Sequence, residues 1–445
     1  MRAVLLAAGE GRRLWPYFNR PKPLVRLLGL ALIERNILTL RECGIKDLVI
    51  ITGCHACEIQ DYLGNGENLG VRINYLHNPD WKLGNGVSAY TFHKDYHQDE
   101  KFILMMSDHI FELDLLKAFV AEVENIQQDE VLLAADSRLE NVYDLNECTK
   151  VKAEQNYALK LGKGLCDFNA VDCGLFMGTG SLLEALSNSI AQGAYTLTDA
   201  VNQLAGLGKV KLHFVSNCWV DVDDYPSYKQ AEKVLLQSLA PPKDGFISQV
   251  INRRVSLRIT KLLAPTGITA NQITLFSFLT AVAAAVSFAT VNPFIGGVLA
   301  QLSSILDGVD GEIARLKFLK SSFGEMFDSL LDRYADYFII IGMAYSWYSA
   351  TGHTTALLVG AIALTGMPMS MLFKEKYQNI TGKPFIPKIH DGILRYLPTN
   401  RDGRLFIIML GGILNLLPAT LTLLAAGTHL QALFRLYNVS KLNLI

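Results

Sequence analysis

The sequence predicts two domains of unlike class in one chain of 445 residues. An α/β domain occupies residues 1–240, and an all-α membrane domain of six transmembrane helices occupies 269–445. Three observations predict this. Short β-like runs alternate with amphipathic stretches up to about residue 230, the order of a largely parallel sheet covered by helices. Long apolar runs dominate from residue 270 onward. Between them, Pro241-Pro242-Lys243-Asp244-Gly245 is a breaker cluster suited to a linker. The mean hydropathy of +0.23 averages over two unlike halves.

In the first domain, Ala3–Leu6, Asp47–Thr52, Arg72–Leu76, Phe102–Met106 and Val131–Ala134 are candidate strands. Leu32–Arg41 and Leu115–Asn125 are candidate helices. Arg2 followed by an apolar run imitates a signal peptide, but Gly9-Glu10-Gly11-Arg12-Arg13 cuts the run short. A first strand feeding a glycine-rich turn explains it better, so the domain reads as Rossmann-like. All seven cysteines lie in this half at irregular spacings, which fits a reduced compartment rather than a disulfide framework. Cys54-x-x-Cys57 has no second metal-binding pair, and two buried thiols are the expectation there.

Residues 241–268 form the linker and juxtamembrane segment. Within it, Phe246–Leu263 mixes Arg253, Arg254, Arg258 and Lys261 with Val250, Ile251, Val255 and Leu262. That pattern predicts an interfacial amphipathic helix. Six apolar segments follow, near 270–290, 293–313, 324–348, 354–373, 403–417 and 419–437, with the last boundary open around Pro418. The candidate outer loops near Asn292-Pro293, Ser349–Thr354 and Pro418 hold no Lys or Arg. The inner segments hold Lys317, Lys320, Lys374, Lys376, Lys383, Lys388, Arg395, Arg401, Arg404, Arg435 and Lys441. This asymmetry predicts a multi-pass protein of the cell membrane with the first domain, both active sites and both termini in the cytoplasm. A net charge of -1 gives no basic footprint, so nucleic acid is excluded as a partner.

The sharpest pattern is Asp307-x-x-Asp310-Gly311-x-x-Ala314-Arg315, then Gly324-x-x-x-Asp328-x-x-x-Asp332. Spacings of three and four put each acid pair on one helix face, and the short loop makes the two helices antiparallel neighbours. Each acid in a membrane helix costs about 2.5–3.5 kcal/mol, so four together demand compensating positive charge. A divalent cation supplies it, and Mg²⁺ prefers carboxylate oxygen and phosphate. Gly311 and Ala314 let a ligand approach the backbone, and Arg315 suits a phosphate. Interfacial acids salt-bridged to Arg315, Lys317 and Arg333 are the structural alternative.

The pattern from Asp307 to Asp332 resembles the CDP-alcohol phosphotransferase family at every motif position. The resemblance implies metal ligation by Asp307, Asp310 and Asp328, a general base at Asp332, CDP contacts at Gly311, Ala314 and Arg315, and a homodimer. Thr269-Ala270-Asn271-Gln272-Ile273-Thr274 is similar to that family's T-P-N-x-I-T segment, with Ala270 in place of Pro.

In the first half, Leu5-Leu6-Ala7-Ala8-Gly9-Glu10-Gly11-Arg12-Arg13-Leu14 precedes Pro21-Lys22-Pro23-Leu24. A glycine-rich turn after a strand offers backbone N–H groups to phosphates, with Arg13 and Lys22 adding charge. Together these segments resemble the sugar-nucleotide nucleotidyltransferase family. The resemblance implies CTP contacts at Ala7, Ala8, Gly9, Gly11, Asn85, Gly86 and Ser88, and metal ligands at Asp108 and Asp223. It puts Thr149–Val151, Lys163 and Asp172–Leu175 on the sugar-phosphate side, with Lys163 for the acceptor phosphate.

Both resemblances in one chain resemble bifunctional inositol-1-phosphate cytidylyltransferases that also act as CDP-inositol:inositol-1-phosphate transferases. The implied ligands are CTP, inositol 1-phosphate, CDP-inositol and Mg²⁺, with Mn²⁺ as its substitute, at both sites in a lipid bilayer. Lys374, Arg401, Lys376, Lys388 and Arg404 are candidates for the acceptor phosphate at the membrane site. The alternatives are a phospholipid synthase using CDP-diacylglycerol with a regulatory first half, and a non-enzymatic membrane scaffold.

Overall fold

The computed structural model describes residues 1–240, 247–290, 292–386, 390–391 and 400–441. The Pro241–Gly245 breaker, Lys388 and Arg395 lie outside them. The described chain divides into two compact units, Met1–Leu235 and Leu236–Ile445.

The first unit contains strands β1 (Arg2–Ala7), β2 (Arg26–Leu27), β3 (Leu30–Ala31), β4 (Asp47–Thr52), β5 (Arg72–His77), β6 (Phe102–Met106) and β7 (His109–Phe111). It continues with β8 (Val131–Asp136), β9 (Lys150–Glu154), β10 (Tyr157–Gly162), β11 (Ala170–Gly178), β12 (Val210–Phe214) and β13 (Trp219–Asp221). One nine-stranded sheet runs β5-β4-β1-β6-β11-β8-β12-β10-β9. The expected strands are all present. Val4 and Leu6 face one core, while Ala3, Leu5 and Ala7 face the other. A strand apolar on both sides reads as a continuous run because both faces are covered.

The expectation of a largely parallel sheet needs correction. β5, β4, β1 and β6 are parallel, but β11 runs antiparallel between β6 and β8. β9 and β10 form an antiparallel hairpin through Gln155-Asn156, with Gln155 at φ 51°. A two-residue connection joins only antiparallel neighbours. Cys54 and Cys57 are exposed, not buried, because the helix Ala56–Leu63 turns Ile59 and Leu63 inward instead.

The second unit is helical. Its helices are Arg253–Leu263, Ala270–Ala289, Pro293–Leu316, Ser322–Thr351, Thr355–Gly366, Met369–Thr381, Arg401–Ile413 and Leu417–Lys441. Three stretches, Ala270–Ala289, Thr355–Thr381 and Leu417–Ser440, are long and apolar enough to cross a membrane. The two acid-bearing helices run 24 and 30 residues. Pro368 sits at the break between Thr355–Gly366 and Met369–Thr381, as its missing N–H dictates. Near Pro418 the break falls at 414–416, where Asn415 takes φ 55°. Thr269 caps the Ala270–Ala289 helix in a reciprocal box with Gln272, so the start is held without the proline.

Phe276, Leu279, Val286, Phe338 and Ile341 point outward, an apolar surface unlike that of a soluble bundle. Inside, small residues set the helix spacing. A Cβ on Gly297 would lie 2.8 Å from the Met409 carbonyl oxygen, and one on Gly412 would collide with the Pro293 carbonyl. The Arg253–Leu263 helix buries Ser256 and Thr260, with Asn252 beside it, while Val255 and Leu262 are exposed. Its protein-facing side is therefore polar. Arg435, expected among the inner-segment charges, is instead fully buried and paired with Asp391 at 2.6 Å.

Candidate active sites

In the first unit, parallel β1 and β6 end side by side, which brings the glycine-rich turn next to Ser107 and Asp108. Gly11 sits at φ 66°, and a Cβ there would collide with Lys22. β13 pairs with β7 so that Asp221 opposes His109, and Asp223 follows two residues on. Leu6, Ala7, Gly9, Gly11, Arg13, Lys22, Asp108 and Asp223 line one cavity of about 370 Å³.

Lys22 is its electrostatic centre. Its Nζ lies 2.6 Å from Asp108, pairs with Asp223, and is 3.9 Å from Asp221. Burial disfavours the ammonium, but Asp108, Asp221 and Asp223 overcome that and raise its pKa. Burial likewise opposes the charge on Asp108, while Lys22 and His109 hold its carboxyl well below the usual range. Asp221 is pushed up to about 6 by burial. His109 is raised to about 9, with Asp221 and Asp108 outweighing its burial. Ligand atoms of Asp108, His109 and Asp221 lie within 4.8 Å of one another, close enough to hold a metal ion. Asp221 Oδ1 is buried without a hydrogen-bond partner among the described residues, as a metal-facing oxygen would be.

In the second unit, carboxylate oxygens of Asp307, Asp328 and Asp332 also lie within 4.8 Å of one another. Asp328 Oδ1 is buried and lacks a hydrogen-bond partner among the described residues. An all-oxygen donor set with such an orphan fits a hard divalent cation. Asp310 is buried beside them and accepts a 2.5 Å hydrogen bond from Thr274 Oγ1. Arg401 Nη1 lies 2.8 Å from both Asp307 and Asp332, and its Nε donates to Asp336 at 3.2 Å. Arg404 also reaches Asp336 at 3.2 Å.

The acids stand between two cavities that share no lining residue among the described residues. One, of about 420 Å³, is lined by Asn271, Asp310, Gly311, Ala314, Arg315 and Asp328. A Cβ on Gly311 would lie 3.1 Å from Arg315 Nη1, so the guanidinium folds over the glycine. The other cavity, of about 460 Å³, is lined by Asp307 and Asp332 with Arg253, Arg333, Lys374, Arg401 and Arg404.

Residues 2–144 match the family described as nucleotidyl transferase, and residues 267–430 match CDP-alcohol phosphatidyltransferase. A bifunctional IPC transferase and DIPP synthase of Thermococcus kodakarensis is 32% identical, covering 99% of this chain and 97% of that protein. The chain belongs to the bifunctional IPC transferase and DIPP synthase family. Members from Rubrobacter xylanophilus, 33% identical over 98% of this chain and 95% of that protein, and from Aquifex aeolicus, 32% identical over 99% and 98%, span it as fully. The chain thus carries a nucleotidyltransferase half and a CDP-alcohol phosphotransferase half, and it is an enzyme.

Several expected residues are not brought to these cavities in this member of the IPC transferase and DIPP synthase family. Ala8 is buried, and its carbonyl accepts from Cys54 N. Asn85 accepts from Leu197 N, Gly86 N donates to Tyr195 O, and Ser88 accepts from Asn78. Lys163 is exposed, 3.7 Å from Glu147, which lies equally far from Arg13. The sequence reading gives no catalytic or ligand-binding role to His109, Thr274, Asp336 or Arg253. Asp336 continues the spacing of Asp328 and Asp332 by four more residues, a legible pattern. His109 directly follows Asp108, but only the β7–β13 pairing reveals Asp221 as its neighbour.

Proposed function

We propose that the first unit joins CTP and inositol 1-phosphate into CDP-inositol, and that the second unit consumes it. A phosphate oxygen of inositol 1-phosphate attacks the α-phosphorus of CTP, and diphosphate leaves. Arg13, Lys22 and the Gly9–Gly11 backbone hold the triphosphate. Asp108 and Asp223, with Asp221 and His109 beside them, would hold Mg²⁺ or Mn²⁺.

In the second step a hydroxyl of another inositol 1-phosphate attacks the inositol-bearing phosphorus of CDP-inositol. The bond to the CMP oxygen breaks, and di-inositol phosphate phosphate and CMP result. Asp332 accepts the hydroxyl proton. Gly311, Ala314 and Arg315 bind the donor. Asp307, Asp310 and Asp328 would hold metal, which when bound supplies positive charge against the donor's diphosphate. Lys374 and Arg401 bind the acceptor phosphate.

The observation that carries this reading is the cavity on the Asp332 side, walled by Arg253, Arg333, Lys374, Arg401 and Arg404. Five cations suit an acceptor with its own phosphate. The second unit is read as crossing the bilayer six times with both sites and both termini in the cytoplasm and the juxtamembrane helix in the interface. The three apolar spans and the turns without Lys or Arg support that reading. A homodimer through the membrane helices is proposed from the resemblance to CDP-alcohol phosphotransferases.

Purified protein given CTP, Mg²⁺ and inositol 1-phosphate should release diphosphate, accumulate CDP-inositol and then release CMP. Asp332→Asn should stop CMP release and leave diphosphate release intact. No diphosphate from the wild type would reject the first step. CMP release from CDP-diacylglycerol but not from CDP-inositol would favour a phospholipid synthase.

A further inference from the structure

Glu312 is fully buried, two residues beyond Asp310, at a position the D-x2-D-G-x2-A-R pattern leaves open. Among the described residues, its side-chain hydrogen bonds come from the juxtamembrane segment. Ser256 Oγ donates at 2.6 Å, Thr260 Oγ1 at 2.5 Å and Arg253 Nη1 at 2.5 Å. The same Nη1 donates to the Gly308 carbonyl at 3.2 Å. Gly308 occupies another open motif position, and a Cβ there would press to 3.2 Å from Arg253 Nη1. Asn252 binds Ser304 at 3.1 Å, continuing the seam by one turn. An anchor lying on lipid needs an apolar inner face, yet this helix turns Asn, Ser and Thr toward the acid-bearing helix. Arg253 lines the same cavity as Asp307, Asp332, Lys374 and Arg401.

We propose that Arg253 is a specificity-determining residue for the phosphate of the acceptor, held by Glu312, so that the juxtamembrane helix forms a wall of the membrane active site. This deepens the functional reading above and rests on it. A guanidinium held at Nη1 by a buried carboxylate and a carbonyl is fixed in position on the wall of a cavity suited to an anionic acceptor. Glu312, which touches no substrate, acts as a positioning residue.

The test uses the full-length enzyme, supplied CDP-inositol and CMP release, with KM measured separately for donor and for inositol 1-phosphate. Arg253→Gln should raise the acceptor KM roughly tenfold or more, the order expected for losing a hydrogen bond to a charged group. The donor KM should stay within about twofold, the room left by ordinary context dependence. Glu312→Gln should show the same split in smaller measure. Partial misfolding lowers the active fraction and moves neither KM. An acceptor KM unchanged in Arg253→Gln, or both KM values rising alike, overturns the proposal. An unchanged acceptor KM in Glu312→Gln overturns the positioning role. If Arg253→Gln cannot be purified, Arg253→Lys keeps the charge without the guanidinium. It should raise the acceptor KM alone, and no change there overturns the proposal equally. Failure of the wild type to release CMP from CDP-inositol defeats the underlying reading instead, so the two failures are distinct.

Discussion

Arg401 and a divalent cation would meet at Asp307. The guanidinium reaches Asp307 and Asp332 at 2.8 Å and Asp336 at 3.2 Å. Removing one partner of a buried charge cluster costs about 3–5 kcal/mol. In Arg401→Met, Mg²⁺ has no competitor at Asp307 and becomes the main source of compensation there. The variant should therefore melt at a lower temperature in EDTA and regain more of its Tm on adding Mg²⁺ than the wild type does. An equal Mg²⁺ effect in both proteins would contradict this assignment. In the first unit, burial pushes Asp172 up to about 6, above its ordinary 3.8. The fold disfavours the ionised form, so stability rises as pH falls from about 6 toward 4. Asp172→Asn should stabilise the protein at pH 7 by on the order of 1–3 kcal/mol. That gain should vanish below pH 4, as denaturant melts at the two pH values will show. Residues brought together by spacing along one helix, such as Asp328 with Asp332, were legible in the sequence. His109 with Asp221 was not, because a strand pairing across more than a hundred positions makes that contact.

At the scale of elements, the crossing of Pro293–Leu316 with Arg401–Ile413 aligns the site. Their backbones meet at Gly297 and Gly412, and Arg401 lies a similar distance along its antiparallel helix as Asp307 does along the other. A side chain at Gly412 must push the helices apart. Gly412→Val should cost about 1–3 kcal/mol of stability and move Arg401 off Asp307, lowering CMP release more than diphosphate release. Gly427 has open space around its Cβ position, so Gly427→Ala is the matched control, with stability unchanged or slightly raised. The long helices were legible because apolar runs and caps such as Thr269 with Gln272 are local. The antiparallel half of the sheet was not. In β9, Lys150 and Lys152 alternate with buried residues, in β10 the alternation breaks at Leu159 and Lys160, and Ala153 and Ala158 are small, so neither strand announces itself.

For the molecule as a whole, the sequence charge asymmetry makes a topological claim that thiol labelling can check. Cys54, Cys57, Cys166 and Cys218 are exposed on the first unit. In intact right-side-out cells, a membrane-impermeant maleimide should modify Ser349→Cys and spare those four thiols until the cells are opened. Labelling of the native thiols in sealed cells would reverse the orientation. The order of the domains was legible because each half carries its own motif, whereas the composition of each cavity had to come from folding. The two cavities beside the membrane acids bear on the geometry of the transfer itself. One is lined by Asp310 and Asp328, the other by Asp307 and Asp332, with no lining residue in common among the described residues. A nucleophile and a leaving group held in separate chambers approach and depart along different directions. Such an arrangement favours back-side substitution, so the handedness of an isotopically or sulfur-marked phosphorus centre would be inverted in the product.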